Sequence, residues 1–221
     1  MNKVIIMIAL VFILFFAGLG AGYGISSLSS GTRTAVSTPT AQENQTSPYV
    51  VTLVLTTNNL YNSTIGDQPA YYVLGPNGLQ SSANLSLPAH RLIKLVIINY
   101  DDGNATLSSS QYANVSGTMD NSISYVNNAV VNSSEGANGI VINGVQNVSS
   151  VPQSEIAHTF TIPSLNINIP VPVVSTVTAY FTISAAGTYT WLCMTECGSG
   201  TNGSGGAMST PGWMTGSVMA R

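Results

Sequence analysis

Gly187-Thr-Tyr-Thr-Trp191-Leu-Cys193-Met-Thr-Glu-Cys197-Gly198 is a stretch in two halves. Up to Leu192 the residues alternate, Tyr189 and Trp191 on one side and Thr188 and Thr190 on the other, which is the period of a β-strand with one aromatic face. At Cys193 the alternation stops. The two cysteines of the chain stand there with three residues between them, followed by a Gly/Ser-rich run and by Met208 and Met214. Thiolate and thioether donors gathered in one loop suit copper far better than magnesium or calcium. A local disulfide or two buried thiols are the competing readings of the same spacing.

Outward from this stretch the same period of two recurs. Tyr49-Val-Val-Thr-Leu-Val-Leu-Thr56 reads as a strand of branched residues, and Tyr71-Tyr-Val-Leu74 as a short strand entering the turn Gly75-Pro-Asn-Gly78. Leu92 to Ile98 is almost continuously apolar, as expected in the middle of a sandwich, and runs into the polar turn Asn99-Tyr-Asp-Asp-Gly103. His158-Thr-Phe-Thr-Ile162 and Ser175-Thr-Val-Thr-Ala-Tyr-Phe-Thr-Ile183 alternate as well. No amphipathic helix is read after residue 26. About seven to nine short strands with Pro/Gly turns predict an all-β Greek-key sandwich over residues 49–221. Residues 103–154 are rich in Asn, Ser and Gly and too long for an ordinary loop. They read as an insertion with short strands of its own around Ile123-Ser-Tyr-Val126 and Gly139-Ile-Val-Ile142.

Five basic and eight acidic residues in 221 leave no surface able to neutralise phosphates, which excludes nucleic acid as a partner class. Residues 4–25 carry no charge and follow Lys3, long enough at helical rise to cross a bilayer core of about 30 Å. Residues 1–26 are read as a single transmembrane anchor, with a cleaved signal peptide as the competing reading. Either reading exports the rest: a membrane-tethered domain on the extracytoplasmic side, or a secreted one. Residues 27–48, Ser/Thr/Gly/Gln-rich, read as the linker. Eight Asn-x-Ser/Thr sequons, at Asn44, Asn62, Asn84, Asn104, Asn114, Asn132, Asn147 and Asn202, fit an outward-facing glycoprotein.

One combination is more specific. His158 in His-Thr-Phe-Thr-Ile-Pro-Ser-Leu165, 35 positions before Cys193, precedes Gly-Thr-Tyr-x-Trp-x-Cys-x3-Cys-Gly and a methionine before a short final strand. This order resembles the cupredoxin domain of cytochrome c oxidase subunit II over residues 92–101 and 154–221. In that family both cysteines bridge two coppers. One copper also takes the upstream His and the Met; the other takes a second His, three residues before the Met, and a backbone carbonyl between the cysteines. Carried over, the resemblance implies His158, Cys193, Cys197 and Met214 as ligands and Thr195 as the carbonyl donor. Pro211 stands where the second His would be, and no His follows His158. The complete set is therefore for one copper, two being left open, with Met208 as the alternative to Met214. His90 lies roughly 30 Å away at the far end of the Leu92–Asn99 strand and is read as a surface residue.

The resemblance implies a membrane-tethered carrier of single electrons in a respiratory chain. Its partner would be a redox protein or terminal oxidase complex, and it would not be a stand-alone enzyme. A structural or adhesive domain of the same fold without metal, its cysteines paired or free, is the alternative. Copper storage or delivery is a third reading.

Overall fold

The computed structural model describes residues 47–60, 68–127, 130–132, 138–140 and 144–221. The apolar run 4–25 and the linker up to residue 46 lie outside the described residues. Among those described, no helix is long and apolar enough to cross a membrane.

In chain order the strands are β1 (Tyr49–Thr56), β2 (Ala70–Gly75), β3 (Gly78–Ser81), β4 (Asn84–Leu87), β5 (Leu92–Asn99), β6 (Ile123–Asn127), β7 (Val130–Asn132), β8 (Asn138–Ile140), β9 (Gln146–Val148), β10 (Ile156–Ile162), β11 (Ile167–Pro172), β12 (Ser175–Thr182), β13 (Gly187–Leu192) and β14 (Thr215–Ala220). The helical elements among the described residues are short 3-10 turns. Seven strands form one sheet in the order β3-β2-β1-β5-β12-β6-β9, five form a second, β11-β10-β13-β14-β4, and β7 pairs with β8. The all-β reading holds, with more strands than the seven to nine expected from the pattern.

Strand β5 is central in the first sheet, parallel to β1 and antiparallel to β12. Its near-continuous apolar run gives strict alternation: Ile93, Leu95, Ile97 and Asn99 are buried, the residues between them half-buried. Strands β10 and β11 are buried on both faces. On β10, Phe160 turns into the sandwich, stacking on Trp191 of β13 and meeting Tyr71 of β2 edge-on. Thr159 and Thr161 point the other way, where the Thr159 hydroxyl accepts the Met194 N–H and Thr161 donates to Asn168.

That segment is less independent than its composition suggests. Strand β6 adds directly to the first sheet beside β12. The turn Ser110–Ala113 and the residues after it lie over β11, with Ser116 bridged to Asn168. The side-chain amide of Asn168 donates to the carbonyls of Tyr112 (3.0 Å) and Asn114, while its Oδ1 accepts the Thr161 hydroxyl at 2.7 Å. The β11 edge can be buried on both faces because this polar joint satisfies the backbone laid across it. Asn168→Ala removes the donor from two carbonyls and is expected to cost about 1–3 kcal/mol, read as a lower urea midpoint.

Candidate metal centre

Strand β10 carries a register shift between Ile156 and His158 in its pairing with β11, a bulge at Ala157. A bulge re-aims the next side chain and frees a backbone group from the ladder. Here it presents His158 to the end of β13 and leaves the Ala157 carbonyl to accept the Thr195 hydroxyl at 3.1 Å.

Past Leu192 the chain leaves β13 and is held on both sides. The Cys193 N–H donates to the Met214 carbonyl (2.8 Å) and the Met194 N–H to the Thr159 hydroxyl (2.8 Å). From the outer side, Glu196 N–H donates to the Thr106 carbonyl and Ser108 N–H to the Met194 carbonyl. The inserted segment thus straps down the sulfur loop. Between the cysteines the Cys197 N–H turns back onto the Thr195 carbonyl at 2.9 Å. Gly198 follows with no room for a side chain, since a Cβ there would run into the Gly203 and Gly205 carbonyls.

The result is a convergence of three soft or borderline donors. His158 Nδ1 lies 2.9 Å from Cys197 Sγ and 3.8 Å from Cys193 Sγ, and the two sulfurs are 3.4 Å apart as free thiols. All three donor atoms fall within 4.8 Å of one another. Cys193 and His158 are buried and Cys197 is half-buried. One imidazole nitrogen and two sulfurs, enclosed and close enough to share one ion, form a donor set that fits copper and does not suit hard cations.

Asp101, to which the sequence reading assigned no role, and the hydroxyl of Thr195, of which the resemblance implied only the carbonyl, complete the surroundings. His158 Nε2 lies 2.9 Å from Asp101 Oδ2, an ion pair when the ring is protonated. The Thr195 hydroxyl reaches both sulfurs. Asp101 sits in Asn99-Tyr-Asp-Asp-Gly103, where it is indistinguishable in sequence from a turn residue. Its one signal is position, at the end of β5.

The electrostatics follow from this packing. Burial works against a charge on His158, but the hydrogen bonds to Asp101 and Cys193 outweigh it and raise the imidazole to about 9. Burial also resists ionisation of Asp101, yet His158 and the Gly103 N–H hold its carboxyl below the usual value. Burial disfavours thiolates too; Cys193 is nevertheless held well below the thiol range by Cys197 and His158, whereas burial and the Cys193 charge push Cys197 up. Tyr71, buried beside the sulfurs with its hydroxyl donating to the Thr159 carbonyl, is pushed well up by burial and by those anions.

For the metal-free protein the signs are definite. A raised His158 contributes stability fully present below its unfolded value, about 6.5, and lost as pH rises through about 9. A lowered Asp101 contributes stability present above its unfolded value, about 3.9, and lost as pH falls through its folded value. Urea midpoints of metal-free protein are therefore expected to fall on both sides of neutrality, and His158→Ala to flatten the alkaline limb between pH 7 and about 9.

The other sequence candidates are placed as follows. Met214 is fully buried and adjoins Cys193 through its carbonyl. Met208 is half-buried in a cleft lined also by Met194, Glu196 and the buried Cys193 and Thr195. Pro211 is exposed at the turn before β14 and offers no donor. His90 is exposed before β5, at the opposite end of that strand from Asp101, and stays outside the cluster. The Gly198–Thr210 loop closes on itself through Ser199 and Gly205.

No protein-family model matches the chain, and no curated protein sequence matches it. Solved structures similar to it include the periplasmic domain of subunit II of the cytochrome oxidase of Bradyrhizobium japonicum, at 9% identity and TM-score 0.34, over 78% of this chain and 83% of that one. Auracyanin B aligns at 12% identity and TM-score 0.34, covering 78% of this chain and 88% of that one. Rusticyanin from Thiobacillus ferrooxidans aligns at 16% identity and TM-score 0.31, covering 79% of each chain. These neighbours are cupredoxins; at such scores the case for the site stands on the geometry of its own residues.

Proposed function

We propose that this chain is a copper protein that carries single electrons. The observation behind the reading is the enclosed convergence of His158 Nδ1 and the sulfurs of Cys193 and Cys197 within 4.8 Å. Bound there, copper would supply a one-electron couple between Cu(I) and Cu(II).

The chain's own residues supply the rest. His158 is aimed by the bulge and by Asp101, Cys193 is fixed by Met214 and Thr159, and Thr195 ties both sulfurs to β10. A site held from so many sides changes little between oxidation states, which is what transfer without chemistry requires. Met214 is the proposed thioether ligand, with Met208 as the alternative, and one ion is the proposed content. Edge-on Tyr71 and the stacked pair Phe160 and Trp191 keep water from the core side of the ring.

The resemblance to oxidase subunit II supports a respiratory role with a redox protein or terminal oxidase as partner. The apolar run 4–25 supports a single membrane anchor, residues 27–48 a linker, and residues 49–221 the exported domain. Of the sequons, Asn84, Asn104, Asn114, Asn147 and Asn202 have exposed side chains, which supports N-glycans there. A redox titration of the copper-loaded full-length chain tests the function. A reversible one-electron wave per copper supports it, and tight binding of copper that cannot be oxidised reversibly favours storage or delivery instead.

A further inference from the structure

Resting on the copper reading, we propose that Asp101 is the positioning residue of the site. It fixes which nitrogen of His158 faces the sulfurs and places a permanent negative charge behind the ring.

The carboxylate is held before it reaches the histidine. The Asp101 N–H donates to Asn99 Oδ1 at 2.9 Å, and the Asp101 carbonyl accepts the Val174 N–H at 2.9 Å. Its Oδ1 accepts the Gly103 N–H at 2.9 Å. Asn99 is anchored in turn, its amide donating to the Pro172 carbonyl at 2.8 Å, so both residues are tied to the β11–β12 turn. Oδ2 remains, and lies 2.9 Å from His158 Nε2. With both oxygens accepting from N–H groups, the side chain acts as an acceptor only, the ionised form.

Two consequences follow for the metal. A ring that donates Nε2–H to Asp101 has Nδ1 turned to Cys193 and Cys197, so its orientation, and the nitrogen that yields its proton to an ion, are set before the ion arrives. Asp101 belongs to the segment after β5 of one sheet and His158 to β10 of the other, so the contact also pins the ligand across the sandwich. A carboxylate hydrogen-bonded to the back of the ligating ring further adds negative charge close to the ion. That stabilises the more positive oxidation state and lowers the reduction potential.

Two variants of the full-length chain separate these roles. Asp101→Asn keeps an acceptor oxygen and loses the charge; Asp101→Ala loses both. With copper bound, Asp101→Asn is expected to retain one ion per chain with a midpoint potential moved positive. Asp101→Ala is expected to bind copper about 10–100-fold more weakly in competition with a chelator. Without copper, ring 1H–15N spectra are expected to show an exchange-protected His158 Nε2–H in the wild type and in Asp101→Asn. In Asp101→Ala that proton should exchange freely while the protein remains folded.

Unchanged potential and affinity in both variants, or a protected Nε2–H in Asp101→Ala, would overturn the assignment. Should the wild-type chain retain no copper, the electron-transfer reading falls, and the ring spectra still decide for or against Asp101.

Discussion

Cys193→Ser is expected to abolish tight copper binding while leaving the domain folded. Cys193 is the fully enclosed sulfur, holding a thiolate through its contacts with Cys197 and His158 and accepting the Thr159 N–H at 3.4 Å. A serine hydroxyl does not ionise near neutral pH and is a hard donor, so the set falls to one imidazole and one thiol that burial keeps protonated. The loss should far exceed the about 10–100-fold that removing an outer partner of a ligand costs. The fold should survive, because serine fills nearly the same volume and its hydroxyl has the Thr195 hydroxyl as a partner. Chelator competition measures the affinity, and circular dichroism with a thermal melt checks the fold. Copper held by Cys193→Ser as tightly as by the wild type would remove the sulfur pair from the site.

Trp191→Ala carries the largest expected loss of stability. The indole is fully buried, stacks on Phe160 with centroids 5.5 Å apart, meets Tyr71 edge-on at 5.4 Å, and donates from Nε1 to the Ser82 carbonyl at 3.1 Å. Gly216 on β14 is there to admit it, since a Cβ at that position would collide with the indole nitrogen. Truncation opens a cavity between the sheets and orphans the Ser82 carbonyl, together costing about 3–5 kcal/mol by urea unfolding. Trp191→Phe keeps the stacking and should cost about 1–3 kcal/mol, chiefly through that carbonyl. Equal losses for the two variants would show that the indole hydrogen bond, and not aromatic volume, carries the contribution. Tyr71 and Phe160 also border the His158 end of the core, so Trp191→Ala should loosen the ligand as well as the fold.

Much of the fold was legible because period two is a local signal. Alternation in β12 and β13 and the apolar run of β5 were visible residue by residue, and these strands form where expected. Residues 103–154 hid their role because apolar residues are sparse there. Strand β6 offers Ile123 and Tyr125 to the core, too short a pattern to show that it extends the main sheet. The segment's other work, strapping the sulfur loop and covering β11, is done by backbone groups and by Asn168, which leave no periodic trace.

The site divides in the same way. His158, Cys193 and Cys197 were legible because their residue types announce copper chemistry and their order carries a resemblance. Asp101 and the Thr195 hydroxyl were not, since Asp in a polar turn has an ordinary local explanation and the resemblance implied only the Thr195 carbonyl. Their roles exist only once β5 ends beside β10 and the bulge at Ala157 frees a carbonyl for the Thr195 hydroxyl. The missing second histidine was legible, and the structure provides no imidazole in its place among the described residues.

The most direct measurement is the copper content and visible spectrum of the full-length chain after loading and removal of excess metal, beside His158→Ala. One copper per chain, with thiolate-to-copper absorption that His158→Ala loses, is the predicted result. A wild-type protein that stays folded, colourless and free of copper would contradict it.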